Sequence, residues 1–174
     1  MEDLREEIVR LQGLVGAYYL LNSSLDLDTV LQNTLLTATS LMKAEIGSIA
    51  LINDEKTHLV FLESTDKKFD RLKQLAVPLG VGIAGNVAVT GKAIRVEDVS
   101  KDPRFYGKID EELGQKTSSY LCVPLKVDSA MIGTAQLMNR LDGRSFSSAD
   151  EKLMEGFAKQ AGLAIQNARM HAVM

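Results

Sequence analysis

Few side chains in this sequence are of the kinds that perform covalent or metal chemistry. There is one cysteine, Cys122, and there are two histidines, His58 and His171, far apart along the chain. One cysteine excludes an internal disulfide and a cysteine-based zinc site. Cys122 lies between Leu121 and Val123 in an apolar run, so it reads as a small buried residue rather than a nucleophile. His58 opens a strand-like segment and reads as a surface residue. The acidic run Asp110-Glu111-Glu112 has no nucleophile beside it and reads as a solvated helix face. Binding chemistry is better represented. Gly80, Gly82 and Gly85 lead into a short apolar helix that stops near Gly91. A helix start presents unpaired N–H groups and a partial positive charge, which suits an anion. The same glycines equally suit turn geometry and close packing. Over residues 131–139, Gly133, Ala135 and Leu137 alternate with Ile132, Thr134, Gln136 and Met138. Small residues on the first face would admit a helix closely. Polar groups on the second, otherwise apolar face need partners, so that face is expected to line a pocket.

The elements that must carry these residues are legible from periodicity. Leu4, Ile8, Leu11, Val15 and Tyr18 recur at alternating spacings of four and three, the seam of a helix packing on a helix. Two readings stay open for it: an amphipathic helix on its own domain, or coiled-coil-like packing in a homodimer. Residues 1–22 are accordingly read as a dimerisation or linker helix, and residues 23–174 as the main domain. Ser23, Ser24 and Asp26 break the first helix and offer caps for a second, over residues 27–43. Strands are expected at 47–53, 57–63, 75–78, 93–96, 119–127 and 131–139. The last two meet at a tight turn, Asp128-Ser129. Residues 64–74 and 97–114 read as loops with short helical pieces. A long final helix begins near Ser147 or Ser148 and runs to about His171. The expected fold is α+β: an antiparallel sheet of about six strands, with the N- and C-terminal helices on one face and a loop-covered pocket on the other.

Bulk composition narrows the function classes. The chain has 174 residues, 45% apolar and 25% charged, with a formal net charge of −3. That is an ordinary globular balance rather than a disordered one. The slight acidity argues against direct nucleic-acid binding, which needs a basic face. No stretch approaches the roughly 18 apolar residues of a membrane helix. The acidic start, Met1 to Glu7, is unlike a signal peptide. A reducing cytoplasm suits the single cysteine. No cofactor is expected.

Five pieces in order resemble GAF domains. They are Gly82-Ile83-Ala84-Gly85-Asn86-Val87-Ala88 with Thr90-Gly91-Lys92; Val96-Glu97-Asp98-Val99; Asp102-Pro103-Arg104-Phe105; Tyr120-Leu121-Cys122-Val123-Pro124-Leu125; and Ile132-Gly133-Thr134-Ala135-Gln136-Leu137. A further set, Asn139-Arg140, Phe146 and Asp150-Glu151, resembles the signature of GAF domains in cyclic-nucleotide phosphodiesterases and related cyclases, with Arg140 in place of lysine. The resemblance covers residues 24–170. It implies a GAF/PAS-like sheet and a regulatory, non-catalytic, small-molecule-sensing role, with a cyclic nucleotide as candidate ligand. It implies ligand-binding positions at Ser48, Leu62, Gly82, Ile83, Ala84, Thr117 and Gln136: backbone donors at Ile83 and Ala84 for an anion, polar groups at Ser48, Thr117 and Gln136 for a purine. Gln136 stands where a glutamate is common, and Leu62, as aligned, where an aromatic ring stacks. The signature implies an Arg140–Asp150 pair, possible as a bidentate fork, that pins a loop beneath the pocket. The plainer alternative has Ser147 or Ser148 capping the final helix, Asp150 and Glu151 in its first turn, and Arg140 solvated. Bilin attachment and methionine-sulfoxide reduction, both known on this fold, need cysteines that are not found here. A chain ending in or just after a helix is expected to be one domain of a longer signalling protein with a covalent output domain. The alternative is a ligand-free module for dimerisation and relay.

Overall fold

The computed structural model describes residues 3–12, 26–114 and 116–173. Val15, Tyr18, Ser23 and Ser24, which the sequence reading placed in the first helix and its break, lie outside the described residues. Residues 3–12 are helical and belong to α1. Helix α2, Leu27–Met42, starts where Asp26 accepts from the Asp28 N–H at 3.3 Å and ends at Lys43 in the left-handed region. Its buried residues Leu31, Leu35, Ala38 and Met42 follow the helical period and make one apolar stripe.

The strands are β1 (Ala44–Ile52), β2 (His58–Ser64), β3 (Ala76–Pro78), β4 (Ile94–Val96), β5 (Tyr120–Val127) and β6 (Ala130–Arg140). They form one six-stranded sheet in the order β3-β2-β1-β6-β5-β4, antiparallel at every step. Asp128 and Ser129 both take positive φ in the β5–β6 turn, the twist that a two-residue hairpin favours. β1 begins at Ala44 rather than at residue 47, because Ala44 and Ile46 pair with Arg140 and Met138 of the long β6.

Each face of the sheet carries its own core. One holds Leu31 and Leu35 of α2, Leu121 and Leu137 of the sheet, and Phe157 and Ile165 of helix α6 (Ser148–Val173). The other holds Ala50, Leu59 and Cys122 under Ile83 and Val87 of helix α4 (Gly82–Thr90). Helices α3 (Phe69–Leu72) and α5 (Lys108–Leu113) and a 3-10 turn (Val99–Lys101) belong to the connections on that second side. The layer against the first face is α2 with α6, while α1 packs on α6. Gly133 departs from its expected role. A Cβ there would lie 2.0 Å from the Ala50 carbonyl oxygen, so the small residue admits the neighbouring strand rather than a helix. Among the described residues, no helix is long and apolar enough to cross a membrane.

Candidate functional site

The second face of the sheet encloses a hollow. Ser48 and Ile46 of β1, Phe61 and Ser64 of β2, Tyr120 of β5 and Gln136 and Met138 of β6 form its floor. The start of α4 closes one side, and Leu72, Phe105, Tyr106, Ile109, Asp110, Leu113 and Thr117 cover it. Its cavity volume is about 60 Å³, room for only a few waters.

Gln136 and Ser48 are fully buried. The Gln136 amide donates to Ser48 Oγ at 2.7 Å, and Cys122 Sγ lies 3.8 Å from Gln136 Oε1. Of the two polar residues predicted on this face of β6, Gln136 finds partners within the floor, whereas the buried Thr134 hydroxyl has no hydrogen-bond partner among the described residues. Burial pushes the Cys122 thiol far above its ordinary range, so it stays protonated and weakly nucleophilic. Burial, reinforced by Cys122 and Asp110, likewise raises the Tyr120 phenol, which remains a neutral donor.

Four aromatic rings line the hollow: Phe61, Phe105, Tyr106 and Tyr120. Sequence alignment missed Phe61 and chose Leu62, and a β-bulge is the reason. Ser48 pairs with Ser64 and Ile49 with Glu63, but Ala50 pairs with Phe61. Leu62 is therefore the extra residue of β2. It packs, with Glu63, toward the helix-side core, and Phe61 is turned into the hollow. A one-residue insertion reverses the face of every residue beyond it. Leu62 consequently does not line the hollow, whereas Ser48, Gly82, Ile83, Ala84, Thr117 and Gln136 do.

At the start of α4, Val81 occupies the cap position and no side chain caps the helix. The first-turn N–H groups have no intrahelical acceptors. Gly82 has φ +74°, and a Cβ on it would lie 2.7 Å from Tyr106 Cβ, so this position requires glycine twice over. Asp110 overturns the solvated-face reading. Its carboxylate accepts from the Thr117 N–H and Oγ–H, both at 2.7 Å, and lines the hollow; Glu111 and Glu112 are exposed. The covering segments are tied together: Lys68 Nζ and Arg71 Nη2 donate to the Leu113 and Glu112 carbonyls at 2.6 Å.

The signature residues lie outside the hollow. Asn139, at φ +61°, accepts from the Ser118 N–H at 2.7 Å and donates to the Lys116 carbonyl at 2.9 Å. The Arg140 guanidinium is divided, with Nε on Asp142 and Nη1 on Asp150 at 3.1 Å, so the pair is monodentate rather than a fork. Asp150 also joins Ser147 in a reciprocal capping box. Phe146 is buried in the helix-side core, and its carbonyl accepts from Arg95, whose Nε pairs with Glu151 at 3.1 Å.

A family model described as "GAF domain" matches residues 26–165. The dual 3',5'-cyclic-AMP and -GMP phosphodiesterase 11 of Drosophila melanogaster is 29% identical over 163 residues, covering 86% of this chain and 11% of that protein. The probable 3',5'-cyclic phosphodiesterase pde-5 of Caenorhabditis elegans is 28% identical, covering 98% and 25%. The chain thus spans a quarter or less of these curated relatives. Among solved structures, the GAF domain of a phosphoenolpyruvate-protein phosphotransferase from Coxiella burnetii superposes with TM-score 0.81 at 16% identity, covering 98% of this chain and 97% of the other. A free methionine-R-sulfoxide reductase from Neisseria meningitidis, in complex with its substrate, does so with TM-score 0.74 at 19% identity, covering 98% and 93%. At these identities the likeness is one of fold.

Proposed function

From the premise that the chain belongs to the GAF domain family, a family of regulatory sensor domains, we propose that its hollow captures a planar small molecule carrying an anionic group, a cyclic nucleotide first among them. One observation carries this reading: four aromatic rings, a buried amide–hydroxyl pair and an uncapped helix start converge on one hollow. Rings of Phe61, Phe105 and Tyr106 suit a stacked heterocycle. Gln136 and Ser48 offer donors and acceptors to its edge, and the N–H groups at Ile83 and Ala84 suit the anion. The captured ligand would then bias the long α6 and an output domain in a longer parent protein. We place the domain in the cytoplasm, as a homodimer through its terminal helices. Leu4 and Leu11 on α1 and Leu163 and Met170 on α6 are exposed apolar residues that a partner copy would cover. Cys122, buried and held protonated, supports a non-catalytic role.

A specific observation favours a second reading, a ligand-free relay module. Known ligand pockets run to roughly 300–1,000 Å³, whereas water reaches about 60 Å³ here, and Gln136 and Thr117 are already paired. On the sensor reading, the cover held by Lys68 and Arg71 must open for entry. Thermal melting with cyclic AMP, cyclic GMP and their linear monophosphates tests nucleotide capture. Ligand at a hundredfold over its Kd adds about 2.7 kcal/mol, a rise of about 5–10 °C for a domain this size. A shift with a cyclic nucleotide, abolished by Phe61→Ala, supports capture. Unchanged melting with all of them at millimolar concentration removes the cyclic nucleotides as ligands but not the sensor reading.

A further inference from the structure

Asp150 is gripped from two directions. Its side chain is fully buried; Arg5 of α1 reaches Oδ1 at 2.7 Å, and Arg140 of β6 reaches Oδ2 at 3.1 Å. Only the second contact belongs to the signature motif. The first joins residues 145 positions apart, and a second feature fixes α1 at the same place. A Cβ on Gly156 would lie 2.6 Å from Val9 Cγ1, so Val9 fills a notch that only glycine leaves in α6. One turn apart on α1, Arg5 and Val9 set its position along α6.

From Arg140 the contacts continue to the hollow. Its N–H donates to Ser119 Oγ at 2.9 Å, and Asn139 holds Ser118 and Lys116 beside it. The next residue, Thr117, donates through its N–H and hydroxyl to Asp110 in the wall of the hollow. We propose that Arg5 is a coupling residue: the seating of α1 on α6 and the conformation of the wall at residues 110–114 and 116–119 are linked through Asp150 and Arg140. The element with two states is α1 itself. Arg5 and Val9 hold α1 on α6, and its two states are seated there and released from it. A change in the wall moves the Arg140 end of β6, shifts the shared carboxylate and alters the hold on Arg5. Linkage makes this reciprocal: unseating α1 loosens the wall. The inference needs no ligand and goes beyond the sensor reading.

Amide hydrogen exchange on the unliganded chain tests it. Asn139→Gly keeps the positive φ and removes the bonds to Lys116 and Ser118. Thr117→Val removes one hydrogen bond at the wall. Both should speed exchange in residues 3–12 by about fivefold or more, the low end of measured couplings. Arg5→Gln should speed exchange in residues 116–119 to a similar degree. Thr57→Val removes the acceptor of the Asn53 Nδ2 hydrogen bond in the β1–β2 turn and should leave both regions unchanged. Cooperative melting of each variant establishes folding, and if Asn139→Gly fails to fold, Thr117→Val decides. The inference is overturned if folded wall variants leave α1 exchange at the wild-type rate, if Arg5→Gln loosens α1 alone, or if Thr57→Val has the same effects. Because no nucleotide is used, failure of the sensor reading would leave this result standing.

Discussion

Placing alanine at Gly82 gives the most discriminating check on how the hollow is closed. Two costs arise there. At φ +74° an L-residue occupies the left-handed region, a cost of about 1–2 kcal/mol. The added Cβ would also stand 2.7 Å from Tyr106 Cβ, and relieving such an overlap costs a further 1–3 kcal/mol or so. Gly80 separates the two, since its φ is +82° yet nothing lies within 4 Å of its Cβ position. Gly80→Ala should therefore cost about 1–2 kcal/mol and Gly82→Ala about 2–5 kcal/mol. In a domain of this size each kcal/mol is worth about 2–4 °C in Tm. Calorimetry or urea unfolding reads both. The partner atom is a Cβ, so Tyr106→Ala should not relieve Gly82→Ala, whereas Tyr106→Gly should, as a positive coupling in a double-mutant cycle. Equal costs at the two glycines, or rescue by Tyr106→Ala, would refute the contact between the α4 start and the loop that covers it.

Three other outcomes are expected. Gln136→Leu strands the Ser48 hydroxyl in the buried floor and should cost about 1–3 kcal/mol in urea unfolding, with Ser48→Ala recovering part of the loss. Cys122 should resist an aromatic disulfide reagent at pH 8 in the native state and react freely in denaturant, since burial keeps the thiol protonated. Glu63 is almost wholly buried, and desolvation raises its folded pKa above the ordinary 4.5, with Asp28 and Asp26 adding to the rise. The folded state then binds the proton more tightly than the unfolded chain. This group's contribution is best below about pH 4.5 and declines as pH rises through the folded value. Glu63→Gln should accordingly gain on the wild type as pH rises from 4 to 7, and equal pH slopes in urea titrations would contradict this.

Much of the architecture is carried by short-range pattern. The helical stripe Leu31, Leu35, Ala38 and Met42, the Asp128-Ser129 hairpin and the alternation along β6 are set by neighbours within a few residues, so periodicity exposes them. The same alternation put Gln136 on the pocket face and the GAF resemblance supplied Ser48; both lie in the floor of the hollow. The short helix after Gly82 was legible because glycine marks backbone that other residues avoid. Asp110 was missed because three acids in a row carry no sign of which one turns inward; the choice is made by Thr117 approaching from another segment.

What tertiary structure alone decided concerns positions where distant segments meet. The bulge that turns Phe61 inward and Leu62 outward is a property of β2 paired with β1, and a period-two pattern read along one strand does not locate an extra residue. The room left in the hollow, about 60 Å³, depends on how α3, α5 and the 103–107 loop settle over the sheet. The Arg140–Asp150 pair was implied by the resemblance, but the second hold on Asp150 comes from Arg5, 145 positions away, and no local pattern marks it. Composition and spacing determine which groups are available for pairing; which of them meet is settled when packing brings them together and burial makes leaving any one unpaired costly.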